Sequence, residues 1–227
     1  MPNYYGPRIV TDNLVLCLDA ANPKSYSGSG TAWTDLRRND NNAVLSNGPT
    51  FSTENKGIIT TDGTNDSIFI SNNSTISSFT SDITINFLVK IIGTTDYTCL
   101  FGKQTDDNWN DGFGAFFENG FFYFFVNDWI SYFVGTAGAN VSGSFMNLTF
   151  VKSGTFLYIY KNGAVLASQN ASPGNITNTS SSLTFGNTPS NNYPISASFS
   201  HISLYNVALS PTQILQNYNA LKGRYKL

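Results

Sequence analysis

Apolar and polar residues alternate with a period of two along most of this chain, as in strands with one buried face. In Asp82–Ile92, Ile83, Ile85, Phe87 and Val89 share one side, with Thr84, Asn86 and Leu88 on the other. Leu148 and Phe150 keep the same spacing, as do Phe156, Tyr158 and Tyr160. In Leu157-Tyr-Ile-Tyr-Lys-Asn-Gly-Ala-Val-Leu-Ala167, two such runs meet at Asn162-Gly163. That dipeptide tolerates the positive φ angles of a type I′ turn, which predicts an antiparallel hairpin.

The pattern predicts further strands over Leu14–Asp19, Asn42–Leu45, Gly57–Asp62, Ser67–Ser71, Thr98–Lys103, Gly112–Glu118 and Phe121–Asn127. It continues through Ile130–Gly135, Phe145–Ser153, Ser182–Gly186 and Ala197–Tyr205, a spacing that fits a β-sandwich. Phe121-Phe-Tyr-Phe-Phe-Val126 is apolar on both faces. It needs cover on both sides, which places it near the centre of a sheet. One helix is expected over about 211–222: Ser210 is a capping serine, Pro211 stands at the first helical position, and Gln213 completes a capping box. Ile214, Leu215, Tyr218 and Leu221 would form its apolar face against the edge or end of the sandwich, and Gly223 would stop it. No linker divides the chain, so the reading is an arm at 1–12 followed by one all-β domain at 13–227.

Composition narrows the function. Charged residues are 11% of the 227, against about 25% in ordinary globular domains. With net charge −2 and no basic cluster, the chain lacks the electrostatic footprint of a nucleic-acid binder. No apolar run reaches the roughly 20 residues of a membrane helix, and the start lacks the basic and apolar regions of a signal peptide. Folding in a cytoplasm is therefore expected. Cys17 and Cys99 sit in apolar strands and are expected as buried free thiols, a bridge between them being the alternative.

Several motifs carry a resemblance. Leu14-Val-Leu-Cys-Leu-Asp-Ala-Ala-Asn22, Ser25-Tyr-Ser-Gly-Ser-Gly30 and Trp33-Thr-Asp-Leu36 resemble the opening of a laminin-G-like, concanavalin A-like jelly-roll domain. Asp62-Gly-Thr-Asn-Asp66, Tyr160-Lys-Asn-Gly163 and Leu204-Tyr-Asn-Val-Ala-Leu-Ser210 resemble its later signatures. The version framed by Gly6-Pro-Arg-Ile-Val10 and Leu215-Gln-Asn-Tyr-Asn-Ala-Leu-Lys-Gly-Arg224 is similar to structural proteins of tailed, especially aquatic, bacteriophages. The resemblance implies two packed antiparallel sheets and recognition of glycans or proteins. Departures at Arg37-Arg-Asn-Asp-Asn41, Ser67 and Val207 bear on loops more than on the fold.

Catalysis finds little support. Glycoside hydrolysis needs two carboxylates flanking the scissile bond, whereas Glu54 and Glu118 are the only glutamates and stand far apart. His201 is the single histidine, without a Gly-x-Ser-x-Gly elbow, and is expected to be a strand histidine satisfied by a neighbour. No catalytic residue is assigned. Calcium is the one metal worth weighing, with Asp62, Asn65 and Asp66 as ligands; the competing reading is a tight hairpin whose side chains bond their own backbone. Asp106, Asp107 and Asp111 form a weaker second set.

Two loops combine tryptophan with hydrogen-bonding groups, as sugar sites do. They supply Asp106, Asn108, Trp109 and Asp111, then Asp128 and Trp129, with Tyr193 in a third polar loop. The alternative is that the tryptophans fold back over the end of the sandwich or pack on another subunit. Trp33 is expected in the core. The function expected is therefore a non-enzymatic virion structural protein (fibre, appendage or decoration), with other virion proteins or further copies of itself as partners. Host glycan is a further partner, and neither nucleic acid nor membrane is one. The alternative is a dedicated calcium-dependent carbohydrate-binding module.

Overall fold

A computed structural model describes residues 7–38, 41–93, 97–131, 133–137 and 143–225. Its strands are β1 (Leu14–Asp19), β2 (Ala32–Trp33), β3 (Ala43–Ser46), β4 (Thr50–Ser52), β5 (Ile58–Asp62), β6 (Ser67–Ile70), β7 (Ile83–Gly93) and β8 (Thr98–Lys103). The second half adds β9 (Phe113–Glu118), β10 (Phe121–Val126), β11 (Phe133–Ala137), β12 (Phe145–Ser153), β13 (Phe156–Lys161), β14 (Ala164–Asn170), β15 (Leu183–Phe185) and β16 (Ser196–Tyr205). One α-helix follows, α1 (Pro211–Leu221). Among the described residues no helix is long and apolar enough to cross a membrane.

The strands form two antiparallel sheets. The first runs β14-β13-β12-β7-β16-β5-β4, with β1 also paired to β16; the second runs β11-β10-β9-β8-β15-β6-β3-β2. The inward positions foreseen from alternation meet between them: Ile83, Ile85, Phe87 and Val89 of β7 share a core with Phe101, Phe117, Phe122, Phe124, Phe150 and Phe199. Phe87 stacks on Phe150 at 5.7 Å and meets Phe101 edge-on at 5.9 Å. Trp33 is fully buried there. The all-β sandwich expected from the sequence is the fold observed.

The β13–β14 hairpin turns at Asn162 (φ 53) and Gly163 (φ 80), the positive pair a type I′ turn requires. The expected strand at Ile130–Gly135 starts only at Phe133, and Tyr132 lies outside the described residues, as do positions 1–6 of the arm and Asn39 and Asp40. β10 is not central but second from the edge. Its two apolar faces are satisfied by different partners: Phe122, Phe124 and Val126 enter the core, while Phe125 is covered from outside by loops.

Helix α1 lies over the outer face of the first sheet, not at an edge or end. Ile214 packs there with Val151, Tyr160 and Tyr205. Its buried positions are Ile214, Asn217 and Leu221, whereas Leu215 is exposed. Gly223 does not stop it: the chain continues in a 3-10 turn over Lys222–Arg224. The described part of the arm is tied down, since Val10 N–H donates to Asn217 Oδ1 at 2.8 Å and Tyr205 OH donates to Val10 O at 3.0 Å. Cys17 and Cys99 are buried free thiols in clusters on the outer faces of opposite sheets, which excludes a bridge between them.

Candidate functional site

On the second sheet, β9 and β10 carry aromatics on the outer face as well as the inner. The register sets Cys99 of β8 opposite Phe116, Phe116 opposite Tyr123, and Tyr123 opposite Gly135. Phe116 and Tyr123 stack at 4.8 Å and 14°. Glycine on a neighbouring strand makes room for two β10 rings, Tyr123 and Phe125. A Cβ on Gly135 would come within 2.9 Å of Tyr123, and one on Gly114 within 2.8 Å of Phe125.

Three loops close over this face. Trp109 has a left-handed backbone (φ 57) and packs edge-on to both Phe116 and Phe125 at 5.3 Å. Positive φ on a bulky residue costs of order 1–3 kcal/mol and persists only where the surroundings hold it. Trp129 N–H donates to Trp109 O at 3.1 Å, and the Trp129 ring meets Phe116 edge-on at 5.8 Å. Asn127 anchors that loop, its amide donating to Pro173 O and Asn175 O, both at 2.7 Å. Tyr193 packs on Trp109 at 5.7 Å, and its carbonyl accepts from Cys99 N–H at 2.9 Å. Asp107 ties two loops together by accepting from Ser190 Oγ and Asn192 Nδ2.

The result is a cavity of about 210 Å³ lined by Tyr97, Asp107, Trp109, Phe116, Trp129 and Tyr193. Trp109 is only 8% exposed and acts as its floor, while Tyr97 is 43% exposed at its mouth. Of the candidates read from the sequence, Trp109, Trp129 and Tyr193 come together here, on a sheet face and not at the sandwich end. Asp106, Asn108, Asp111 and Asp128 are not in the lining. Asp106 accepts from Asn108, Asp111 from Thr105 N–H and Asp128 from Ile130 N–H, so these polar groups shape the loops. The hydrogen bond from Ile130 N–H is the main reason the Asp128 carboxyl sits below its ordinary pKa.

Tyr97 and Phe116 were not legible as cavity-lining residues, and Asp107 stood out only as a member of the second metal set. Phe116 reads as one more apolar residue in a strand, although aromatics at both alternate positions of Phe113–Glu118 are the signal that a second face needs cover.

The calcium candidates are engaged by donors of the protein itself. Asp62 to Asp66 bridges β5 and β6, which belong to different sheets, so it is a crossing and not a hairpin. Asp62 Oδ1 accepts from Thr64 N–H at 2.7 Å, and Asp66 Oδ2 accepts from Asp62 N–H at 3.0 Å. Thr64 N–H leads the contacts that hold the Asp62 carboxyl below its ordinary pKa, whereas burial pushes Asp66 up. Asn65 offers its carbonyl to Asn47. In the second set each carboxylate turns to a different partner. Among the described residues, no three His, Cys, Asp or Glu side chains gather at metal-binding spacing.

His201 faces outward from the first sheet beneath the chain end, 2% exposed, and neither ring nitrogen has a hydrogen-bond partner among the described residues. The expected satisfying neighbour is absent there because Asp19, the nearby carboxylate, is engaged by Arg224 at 2.7 and 2.8 Å.

A two-sheet antiparallel jelly roll of this kind defines a lectin-like β-sandwich. The chain belongs to the concanavalin A-like lectin/glucanases superfamily, whose laminin-G-type family model matches residues 62–215. The early motifs, Leu14–Asn22 and Trp33–Leu36, fall before that match.

Solved structures extend the likeness to the whole sandwich. The binding domain of Paraclostridial mosquitocidal protein 1 superposes with TM-score 0.70 at 18% identity, covering 92% of this chain and 52% of that one. The receptor-binding domain of botulinum neurotoxin C/D mosaic serotype gives TM-score 0.71 at 15% identity, covering 92% and 51%. The ligand-binding domain of botulinum neurotoxin serotype D, in complex with N-acetylneuraminic acid, gives 0.69 at 15% identity, covering 91% and 50%. The chain spans about half the length of these proteins, and at such identity the likeness is one of fold. No curated protein matches the sequence.

Proposed function

We propose that this protein is a non-enzymatic glycan-binding module whose sugar site is the cavity between Trp109, Trp129 and Tyr193. The observation that carries this reading is the convergence of three separate loops, locked by Asp107 and Asn127, on one aromatic cavity. Flat rings with polar neighbours suit the apolar face and the hydroxyl rim of a pyranose. Among the described lining residues Asp107 is the only carboxylate, and both its oxygens are engaged, which does not favour the paired carboxylates that glycoside hydrolysis needs. A bound sugar in one fold neighbour is compatible with the reading. The sequence resemblance suggests a tailed-phage virion as the setting, with host-surface polysaccharide as the ligand; detection of the chain in purified virions tests that.

Glycan-array screening followed by calorimetry tests the site. Trp129→Ala should weaken the best ligand about tenfold, or ~1–2 kcal/mol, with little change in melting temperature. Trp109→Ala should instead cost about 3–5 kcal/mol of stability, because it removes a buried floor. Unaltered sugar affinity in Trp129→Ala would sink the assignment.

A further inference from the structure

A second cavity, of about 450 Å³, opens beside the first where the edge strands β11 and β14 of the two sheets approach. Tyr123, Phe133, Ser131, Ser168, Gln169 and Asn170 are among its lining residues. The two cavities share a wall: Phe116 of the first stacks on Tyr123 of the second. They also share a loop, since Trp129 lines one and Ser131 the other. Tyr123 then contacts Phe133 at 6.1 Å and Phe121 at 6.2 Å. A line of aromatic rings thus crosses the strands from Tyr97 beside β8 to Phe133 on β11. Adjacent strands lie about 4.8 Å apart, so three intervals span roughly 14 Å, room for about three or four sugar rings end to end.

The chemistry changes along this line. Apolar rings dominate the first cavity, and amide and hydroxyl groups of β14 dominate the far end of the second. Ser168 and Gln169 are exposed and their side chains have no hydrogen-bond partner among the described residues. Among the described residues neither lining contains lysine or arginine, and Asp107 is the only lining acid, with Glu118 hydrogen-bonded to Tyr97 beside the first cavity. An anionic sugar would therefore meet no compensating charge among these residues.

We propose that the two cavities form one track for a neutral glycan chain of about three or four residues. The first ring is seated at Trp129, and the chain crosses the Phe116–Tyr123 pair to the Gln169 edge. This rests on the sugar site proposed above and adds chain length and neutrality to it.

Calorimetry with neutral malto-, cello- and manno-oligosaccharides, each from disaccharide to hexasaccharide, tests it alongside sialyllactose and a sulfated oligosaccharide. For at least one neutral series, affinity should rise about tenfold or more between disaccharide and tetrasaccharide, then level off. Gln169→Ala, an exposed edge substitution, should remove most of that rise. Equal affinity at every length, with Trp129→Ala still weakening all of them, would overturn the track and leave the single-ring site standing. Tighter binding of the anionic probes would overturn neutrality. Binding of no probe, or binding indifferent to Trp129→Ala, would overturn both the track and the site beneath it.

Discussion

His201 shows how one side chain makes stability depend on pH. Burial holds its pKa down to about 4, against the raising influence of Asp19, with Arg224 adding to the depression. In the unfolded chain it returns to about 6.5. The unfolded state therefore binds a proton that the folded state refuses. Its contribution is complete above about pH 6.5 and declines as pH falls toward 4, by ~3 kcal/mol in all. Asp19 acts in a lower window: burial would raise its carboxyl, but the Arg224 hydrogen bonds and the His201 field prevail and hold it below the ordinary value. Urea unfolding at a series of pH values from neutral to 4.5 should show this decline in the native protein and a much flatter profile in His201→Leu. A His201→Leu protein as acid-sensitive as the parent would show that another group is responsible.

At the scale of elements, local signals and packing agree best in α1. Ser210 and Gln213 form the capping box foreseen from the sequence, Gln213 N–H donating to Ser210 Oγ at 3.3 Å and Ser210 N–H to Gln213 Oε1 at 2.9 Å. Ser210→Ala should lower stability by about 1 kcal/mol, read as a shift in urea midpoint with an unchanged slope. The long strands were legible because alternation is set by a single buried face. β2 and β4 were missed because two or three residues cannot express a period. The helix face was partly misassigned because Asn217, polar by type, is buried to bind Val10 and Tyr205 on the arm and sheet.

For the whole molecule, stability comes from one continuous core between the sheets, flanked by clusters under α1, under the chain end and under the three loops. Because the acidic loops turn carboxylate oxygens to donors of the protein, EDTA should leave the melting temperature unchanged and should not affect glycan binding. A drop of several degrees on chelation, restored by calcium, would show a cage that the carboxylate geometry does not suggest.

The sequence alone made the long strands, the hairpin and the helix legible. Period-two patterning, the Asn162-Gly163 turn and the Ser210 cap are local signals that can be read without knowing which distant residues they meet. It also marked Trp109, Trp129 and Tyr193 as unusual, because tryptophan and tyrosine amid Asp and Asn stand out in a loop. Tertiary structure alone brings these three together, since their closeness depends on β10, β9, β8 and β15 lying side by side. It also decided that Phe116 and Tyr123 face outward as part of the cavity walls, and that Asp106, Asn108, Asp111 and Asp128 turn back to their own loops. Alternation tells which residues share a face, but not whether that face meets the opposing sheet or a set of folded loops. That choice is made by contacts between residues distant in sequence.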